Sequence, residues 1–216
     1  MIDVRRAVER YLQTNRELRE RTHKVFYASE LGYCPLKIFF SITRPRMAEV
    51  RALKVFKLGD LAHEFVQQVL QDTYGAEAEV PIRQVVDDTR GIELHGRIDV
   101  LHEGVPYELK SAARLPDSPY DHHVAQINAY LNLLGADEGY LVYVEKNSFE
   151  IAQFPVRRDA DLWRRCLEKI RLVHDAVETD SQSDLYSAAG EHLDEGNTWE
   201  CRYCTYRDIC PLAMMR

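Results

Sequence analysis

No run of this chain stays apolar for the roughly 20 residues that cross a bilayer, and its first stretch, MIDVRRAVERYLQTNRELRE, lacks the apolar centre of a signal peptide. A cytoplasmic protein with no membrane partner is the expectation. Cysteine is scarce: five in 216 residues, with no secretory signal, do not make a disulfide scaffold. In a reducing compartment, clustered cysteines more often bind metal. Positive charge is in deficit too. A formal net charge of −7 excludes a polycation built to coat nucleic acid, so any DNA contact has to use local basic surface. Internal repeats and low-complexity segments are absent. What remains, 45% hydrophobic and 29% charged residues, is the balance of a globular protein able to bury a core.

The order of elements reads as helix, then sheet, then helix. Residues 2–20 read as a helix. A second helix is expected from Ser29 as N-cap through ELGYCPLKIFF, with Pro35 in its first turns. Phe56, Leu61, Phe65, Val69 and Leu70 recur at helical spacing and give a third helix over 53–74 with those side chains inward. EVPIRQVV, IELHGRIDVL and VPYELKSA read as strands between turn signals. SPYDHHVAQINAYLNLLG is a helix stopped by Gly135, and GYLVYVEK and FEIAQFPV form a hairpin around Asn147 and Ser148. A long helix runs from near Asp159 to about Val177, and the polar stretch 179–198 is expected to be flexible.

The richest segment is GRIDVLHEGVPYELKSA. Strand side chains alternate between faces, so Arg97 shares a face with Asp99, and Glu108 shares one with Lys110. A two-residue turn at Glu103-Gly104 sets Asp99 directly opposite Glu108, with Cβ atoms roughly 4.5–5.5 Å apart. Facing carboxylates repel unless a cation lies between them, and hard oxygen ligands at that spacing suit Mg²⁺ or Mn²⁺. Lys110, two residues on and on the same face, can reach a water or phosphoryl oxygen beside such an ion. That is equipment for hydrolysing a phosphodiester. A solvated hairpin face carrying one ion pair has the same local sequence.

Two more features bear on this choice. His63 follows Leu61 and precedes Phe65 on the third helix, where a hydrogen-bonded core histidine is the ordinary reading. Gln126 and Tyr130 stand one turn apart on one helix face, beside the apolar stripe of Ile127, Leu131 and Leu134. Taken in order, Gly59-x-x-x-His63, Gly96-x-x-Asp99, Glu108-x-Lys110 and Gln126-x-x-x-Tyr130 resemble the RecB-type nuclease domain of the restriction-endonuclease-like superfamily, over about residues 53–155.

The resemblance implies an α/β fold, a mixed sheet flanked by helices. It implies a catalytic metal held by His63, Asp99, Glu108 and the Leu109 carbonyl, with Lys110 assisting the attacking water and Gln126 and Tyr130 lining the groove. Without a Gly-x-x-x-x-Gly-Lys phosphate loop, a helicase–nuclease fusion is not expected. A free-standing nuclease of this size with distant cysteines most resembles the CRISPR-associated exonuclease family. It implies 5′-to-3′ action on single-stranded DNA ends during spacer acquisition, and partnership with the integrase proteins of that system. A RecB-like repair nuclease outside that system, a non-catalytic DNA- or protein-binding module, and a redox sensor are the alternatives.

Cys201-x-x-Cys204-x5-Cys210 supplies three thiolates and lacks a fourth. Cys166 sits mid-helix, where a small buried cysteine is ordinary; Cys34 precedes Pro35 as Cys210 precedes Pro211, and is the expected partner. The family resemblance implies an iron–sulfur cluster on these four, 4Fe–4S ahead of 2Fe–2S. Spacing alone leaves zinc open. The segment 37–57 carries Lys37, Arg44, Arg46, Arg51, Lys54 and Lys57 against Glu49 alone, a candidate phosphate-tracking surface. Phe39, Phe40 and Phe56 beside it are expected in the core, with stacking on bases as the alternative. The expected organisation is an N-terminal helical segment (1–52), a nuclease core (53–178), and a linker with the cysteine tail (179–216).

Overall fold

The computed structural model describes residues 2–14 and 21–214. Among the described residues, eight α-helices and six strands follow one another as α1 (Val4–Thr14), β1 (Val25–Tyr27), α2 (Pro35–Thr43), α3 (Val50–Tyr74), β2 (Glu77–Asp87), β3 (Ile92–His102), β4 (Val105–Ala112), α4 (Asp121–Leu134), β5 (Glu138–Glu145), β6 (Ile151–Arg157), α5 (Ala160–Thr179), α6 (Ser183–His192), α7 (Trp199–Tyr203) and α8 (Pro211–Met214). Residues 15–20 of the expected first helix lie outside the described residues. Among the described residues no helix is long and apolar enough to cross a membrane.

The β3–β4 hairpin behaves as its turn dictates. Glu103 and Gly104 both take positive φ, 50° and 80°. This is the two-residue turn whose twist matches antiparallel strands. Val100 pairs with Tyr107, Leu101 with Pro106 and His102 with Val105, the register that places Asp99 and Glu108 next in line. The ladder stops there. The same edge of β3 is taken over at Glu93–His95 by β1, running parallel, so the sheet splits between β1 and β4. The other edge of β3 carries β2, while β4 continues into parallel β5 and antiparallel β6. The sheet is mixed and has helices on both faces, as expected.

Leu109, Val142 and Val144 pack with Ala62 and Val66 of α3. On the opposite face Leu141, Tyr143 and Val156 pack with Ile127 and Leu131 of α4. The largest apolar cluster joins Phe39 of α2, Ile98 of β3, Ile170 of α5, Leu185 of α6 and Tyr206 near the end of the chain.

Four expectations need correction. The second helix does not start at Ser29: a short 3₁₀ turn covers Ala28–Glu30 and α2 begins at Pro35. Cys34 is extended (φ −54°, ψ 130°), because proline disfavours the helical conformation in the residue before it. The third helix is rotated relative to its predicted apolar stripe. Phe56, Leu61, Phe65 and Val69 are exposed, while Gly59, Ala62, Val66 and Gln67 are buried. Small side chains let the helix approach the sheet: a Cβ on Gly59 would stand 2.8 Å from Ser111 Oγ. Phe56 accordingly leaves the core, unlike Phe39 and Phe40. Finally, the stretch 179–198, expected to be flexible, is largely helical: α6 buries Leu185 and Ala189, followed by Leu193, at helical spacing. β1 had no counterpart in the sequence reading.

Candidate active site

The split between β1 and β4 opens at Asp99. With no ladder partner there, the Leu109 N–H donates instead to Asp99 Oδ2 at 2.7 Å. The Asp99 carbonyl accepts from Gln67 Nε2 of α3 at 3.0 Å. The rotation of α3 that buries Gly59 and Ala62 also turns His63 inward, its Nδ1 4.0 Å from Asp99 Oδ2. Glu108, 2% exposed, shares its Oε1 between Lys110 Nζ (2.7 Å) and Gln126 Nε2 (2.6 Å). Gln126 Oε1 in turn accepts from Lys110 Nζ at 2.9 Å. The amide is thus oriented by an ammonium on one side and a carboxylate on the other. The Tyr130 hydroxyl accepts from Gln126 Nε2 at 3.3 Å and donates to the Arg97 carbonyl at 3.2 Å. Gly96 makes this possible: a Cβ there would fall 2.6 Å from Tyr130 Cε1. Leu109 is fully buried, level with Val142 of β5. His63, Asp99, Glu108, Leu109, Lys110, Gln126 and Tyr130 are therefore brought together.

Burial pushes the Glu108 carboxyl up to about 8, against the pull of Lys110 and with the Asp99 charge adding to the rise. Burial raises Asp99 as well, opposed by His63 and Lys110. His63 is lowered by burial, against Asp99. For Lys110 burial works downward, but Glu108 and Asp99 outweigh it and the net shift is up. Glu108 Oε2 and His63 Nε2 are buried without any hydrogen-bond partner. Unpaired buried polar atoms are costly, and these two belong to a donor set of two carboxylates and an imidazole. Those residues fit a hard divalent cation.

Sequence reasoning missed two parts of this site. Glu79 takes the left-handed conformation (φ 58°) between Ala78 and Val80, which pair with Val100 and Ile98 on either side of Asp99. It accepts from Gln67 Nε2 at 2.6 Å and pairs with Arg97 at 2.5 Å, and its charge adds to the rise of Asp99 and Glu108. No local signal marks a residue whose importance comes from its ladder position. The second part is a groove of about 680 Å³ lined by Tyr33, Tyr120, His122, His123 and Trp199. His122 lies 5.0 Å from the Trp199 ring and 5.2 Å from Tyr33. Lys37 stands 3.5 Å over Tyr33. Burial lowers His122 to about 4 and His123 to about 2, and the Lys110 charge reaches both. The groove therefore lies within reach of the Lys110 charge. Its aromatic residues come from distant segments, but the adjacent His122-His123 pair in YDHH was a visible signal.

The basic segment is only partly available. Arg46 makes two hydrogen bonds to Asp208, at 2.6 and 3.1 Å, Lys54 pairs with Glu9, and Lys57 with Glu64.

Cys34, Cys201, Cys204 and Cys210 line a common cavity with Leu36, Lys37 and Leu193. Cys166 is elsewhere, its Sγ 3.9 Å from the Leu31 carbonyl. Burial pushes the Cys34 thiol up to about 12, and Cys210 adds to the rise. Glu200 fastens the two halves of the cavity: it accepts from the Cys34 N–H at 3.1 Å and contacts His192 Nε2 at 2.6 Å. Lys169 of α5 donates to the carbonyls of Leu31 and Tyr33 at 3.0 and 3.1 Å, fixing the approach to Cys34.

The sequence profile of the PD-(D/E)XK nuclease superfamily matches residues 4–211. The CRISPR-associated exonuclease Cas4 of Saccharolobus solfataricus is 24% identical over 202 residues, 90% of this chain and 91% of that protein. The crystal structure of SSO0001 superposes with a TM-score of 0.68 at 22% identity, covering 98% of this chain and 96% of that one. A phage-related exonuclease from Haemophilus somnus 129PT superposes with a TM-score of 0.53 at 12% identity, over 74% and 97% of the respective chains.

Proposed function

Because the chain belongs to the PD-(D/E)XK nuclease superfamily, we propose that it is a metal-dependent DNA exonuclease that trims single-stranded ends, 5′ to 3′, for CRISPR spacer acquisition. The observation that carries the chemistry is the pair of buried, unpartnered donors, Glu108 Oε2 and His63 Nε2, beside Asp99 and Lys110. The curated relative's name supports the CRISPR setting and the exonuclease activity.

His63, Asp99, Glu108 and the Leu109 carbonyl would hold Mg²⁺ or Mn²⁺. A bound ion of this kind supplies Lewis-acid polarisation of the scissile phosphate and acidifies a water. Lys110, raised above its ordinary value, keeps its proton. Its role is to orient the water and to stabilise negative charge developing on the phosphate. Gln126 holds the Lys110 ammonium and the Glu108 carboxylate at fixed separation, and Tyr130 holds Gln126. The groove of Tyr33, His122 and Trp199 offers ring faces to unpaired bases, which a single strand supplies and a duplex does not.

Lys110→Ala and Asp99→Ala should each lower the rate of release from end-labelled single-stranded DNA by about 10²–10³-fold or more while leaving the circular dichroism spectrum unchanged. Unaltered rates in folded variants would sink the proposal. Labels at opposite ends report the polarity.

The four cysteines of the common cavity fit a thiolate-bound group, and an iron–sulfur cluster is proposed there, with zinc as the alternative the same four ligands allow. Brown protein carrying iron and sulfide supports the cluster; colourless protein with one zinc per chain rejects it.

A further inference from the structure

A second group of ligand-type side chains lies away from both the carboxylates and the cysteines. His23, just before β1, and His174 and Glu178, one turn apart on α5, bring a ring nitrogen each and a carboxylate oxygen within 4.8 Å of one another. His174 is 6% exposed, and its Nε2 is buried without a hydrogen-bond partner. His23 Nε2 is likewise without a hydrogen bond, although it lies in ion-pair contact with Glu178 Oε1. The two rings stand 5.2 Å apart, centre to centre. The His174 ring nitrogen has lost water and gained no hydrogen bond in exchange.

The tautomer of His174 is set from behind. Its Nδ1 lies 3.2 Å from Asp175 Oδ1, and Asp175 is itself held by Arg90 through Nε at 2.8 Å and Nη2 at 2.9 Å. A carboxylate behind Nδ1 places the proton there and leaves the Nε2 lone pair facing His23 and Glu178. This is the arrangement that supports metal-bound imidazoles, in which the outer carboxylate fixes the ring and raises its basicity.

We propose that His23, His174 and Glu178 form a site for a zinc-class divalent cation. Two imidazoles and one carboxylate favour zinc, cobalt or nickel over the magnesium-class ion of the catalytic carboxylates. Bonds of ~2.0–2.1 Å would bring the donors to roughly 3.4 Å apart in tetrahedral geometry. His23 and Glu178, with side chains 30% and 49% exposed, have room to rotate inward. The ion would join the segment leading into β1 to α5. β1 holds one edge of the split in β3, so the site braces the sheet beside the active site without touching it.

The test uses the untagged full-length protein with its cysteine site filled. Equilibrium dialysis against zinc counts ions per chain in the wild type, His23→Gln, Glu178→Gln and His63→Ala. Each of the first two variants should bind one equivalent fewer than wild type, or bind it at least tenfold more weakly. Zinc should raise the melting temperature of the wild type more than theirs. Combining His23→Gln with His63→Ala should lose the equivalents of both sites. His23 and Glu178 are partly exposed, so the two single variants should fold, and either one suffices. If both bind as many zinc ions as wild type with the same affinity, the proposal is wrong.

Discussion

Glu108 shows how a single carboxyl ties the site's chemistry to the stability of the fold. Its ordinary value is 4.5, and burial in the native state pushes it up to about 8. The folded protein therefore binds this proton more tightly than the unfolded chain. The stability so gained is complete below about pH 4.5 and is lost as pH rises towards 8. Asp99, also raised by burial, adds in the same direction. Without divalent metal, the melting temperature should fall between pH 5 and 8, and Mn²⁺ should restore it at the upper end by favouring the ionised carboxyl. In Glu108→Gln the slope should flatten. A wild-type melting temperature that rises through this window would contradict the assignment. Asp99, Glu108 and Lys110 were legible from strand parity and the turn. Glu79 was not, because only the β2–β3 ladder brings it beside Asp99.

At the scale of elements, α3 decides whether the site assembles at all. Its large apolar side chains are spread round the helix, and helical spacing points to Phe56, Leu61, Phe65 and Val69 as its inner face. Packing instead selects the small residues, since a helix carrying Gly59 and Ala62 can lie closer to the strands than one carrying Phe65. Val66→Ala should cost about 2 kcal/mol in chemical denaturation, for the cavity it leaves under Val142. Leu61→Ser, on the exposed face, should stay within about 0.5 kcal/mol. The reverse order would mean the helix is rotated the other way and His63 points outward. The same distinction separates what the sequence showed from what it hid. The Asp159 cap of α5, which accepts from the N–H groups of Asp161 and Leu162, and the Gly135 stop of α4 are local signals and were readable. β1 is three residues long and exists because β3 offers it an edge. The stripe of Leu185, Ala189 and Leu193 was present in the sequence but diluted by the polar residues around it.

Across the whole molecule, segments far apart in the chain meet at the cysteine cavity. Cys34 and Glu200, 166 residues apart, share a hydrogen bond, and Arg46 reaches Asp208 over 162. Closing so long a loop removes much freedom from the unfolded chain. Cys34→Ala and Cys210→Ala should both lose the cluster proposed for this cavity and lower the melting temperature by several degrees. Cys166→Ala, whose sulfur lies outside the cavity, should keep the metal content of the wild type. Retention by Cys34→Ala together with loss by Cys166→Ala would reassign the fourth ligand. The pairing of Cys34 with the cysteine tail was readable from scarcity and from the prolines that follow Cys34 and Cys210. Glu200 and Lys169, which hold the cavity's parts in place, carry no such mark.

The split in β3 has one more consequence. The Leu109 amide rests on a carboxylate rather than on a neighbouring strand's carbonyl. Ladder amides exchange with solvent deuterium when strands separate, whereas this one is guarded by the charge on Asp99. Its exchange rate is thus a built-in gauge: protonating Asp99, or drawing its oxygen away, is written into one backbone proton at the centre of the site.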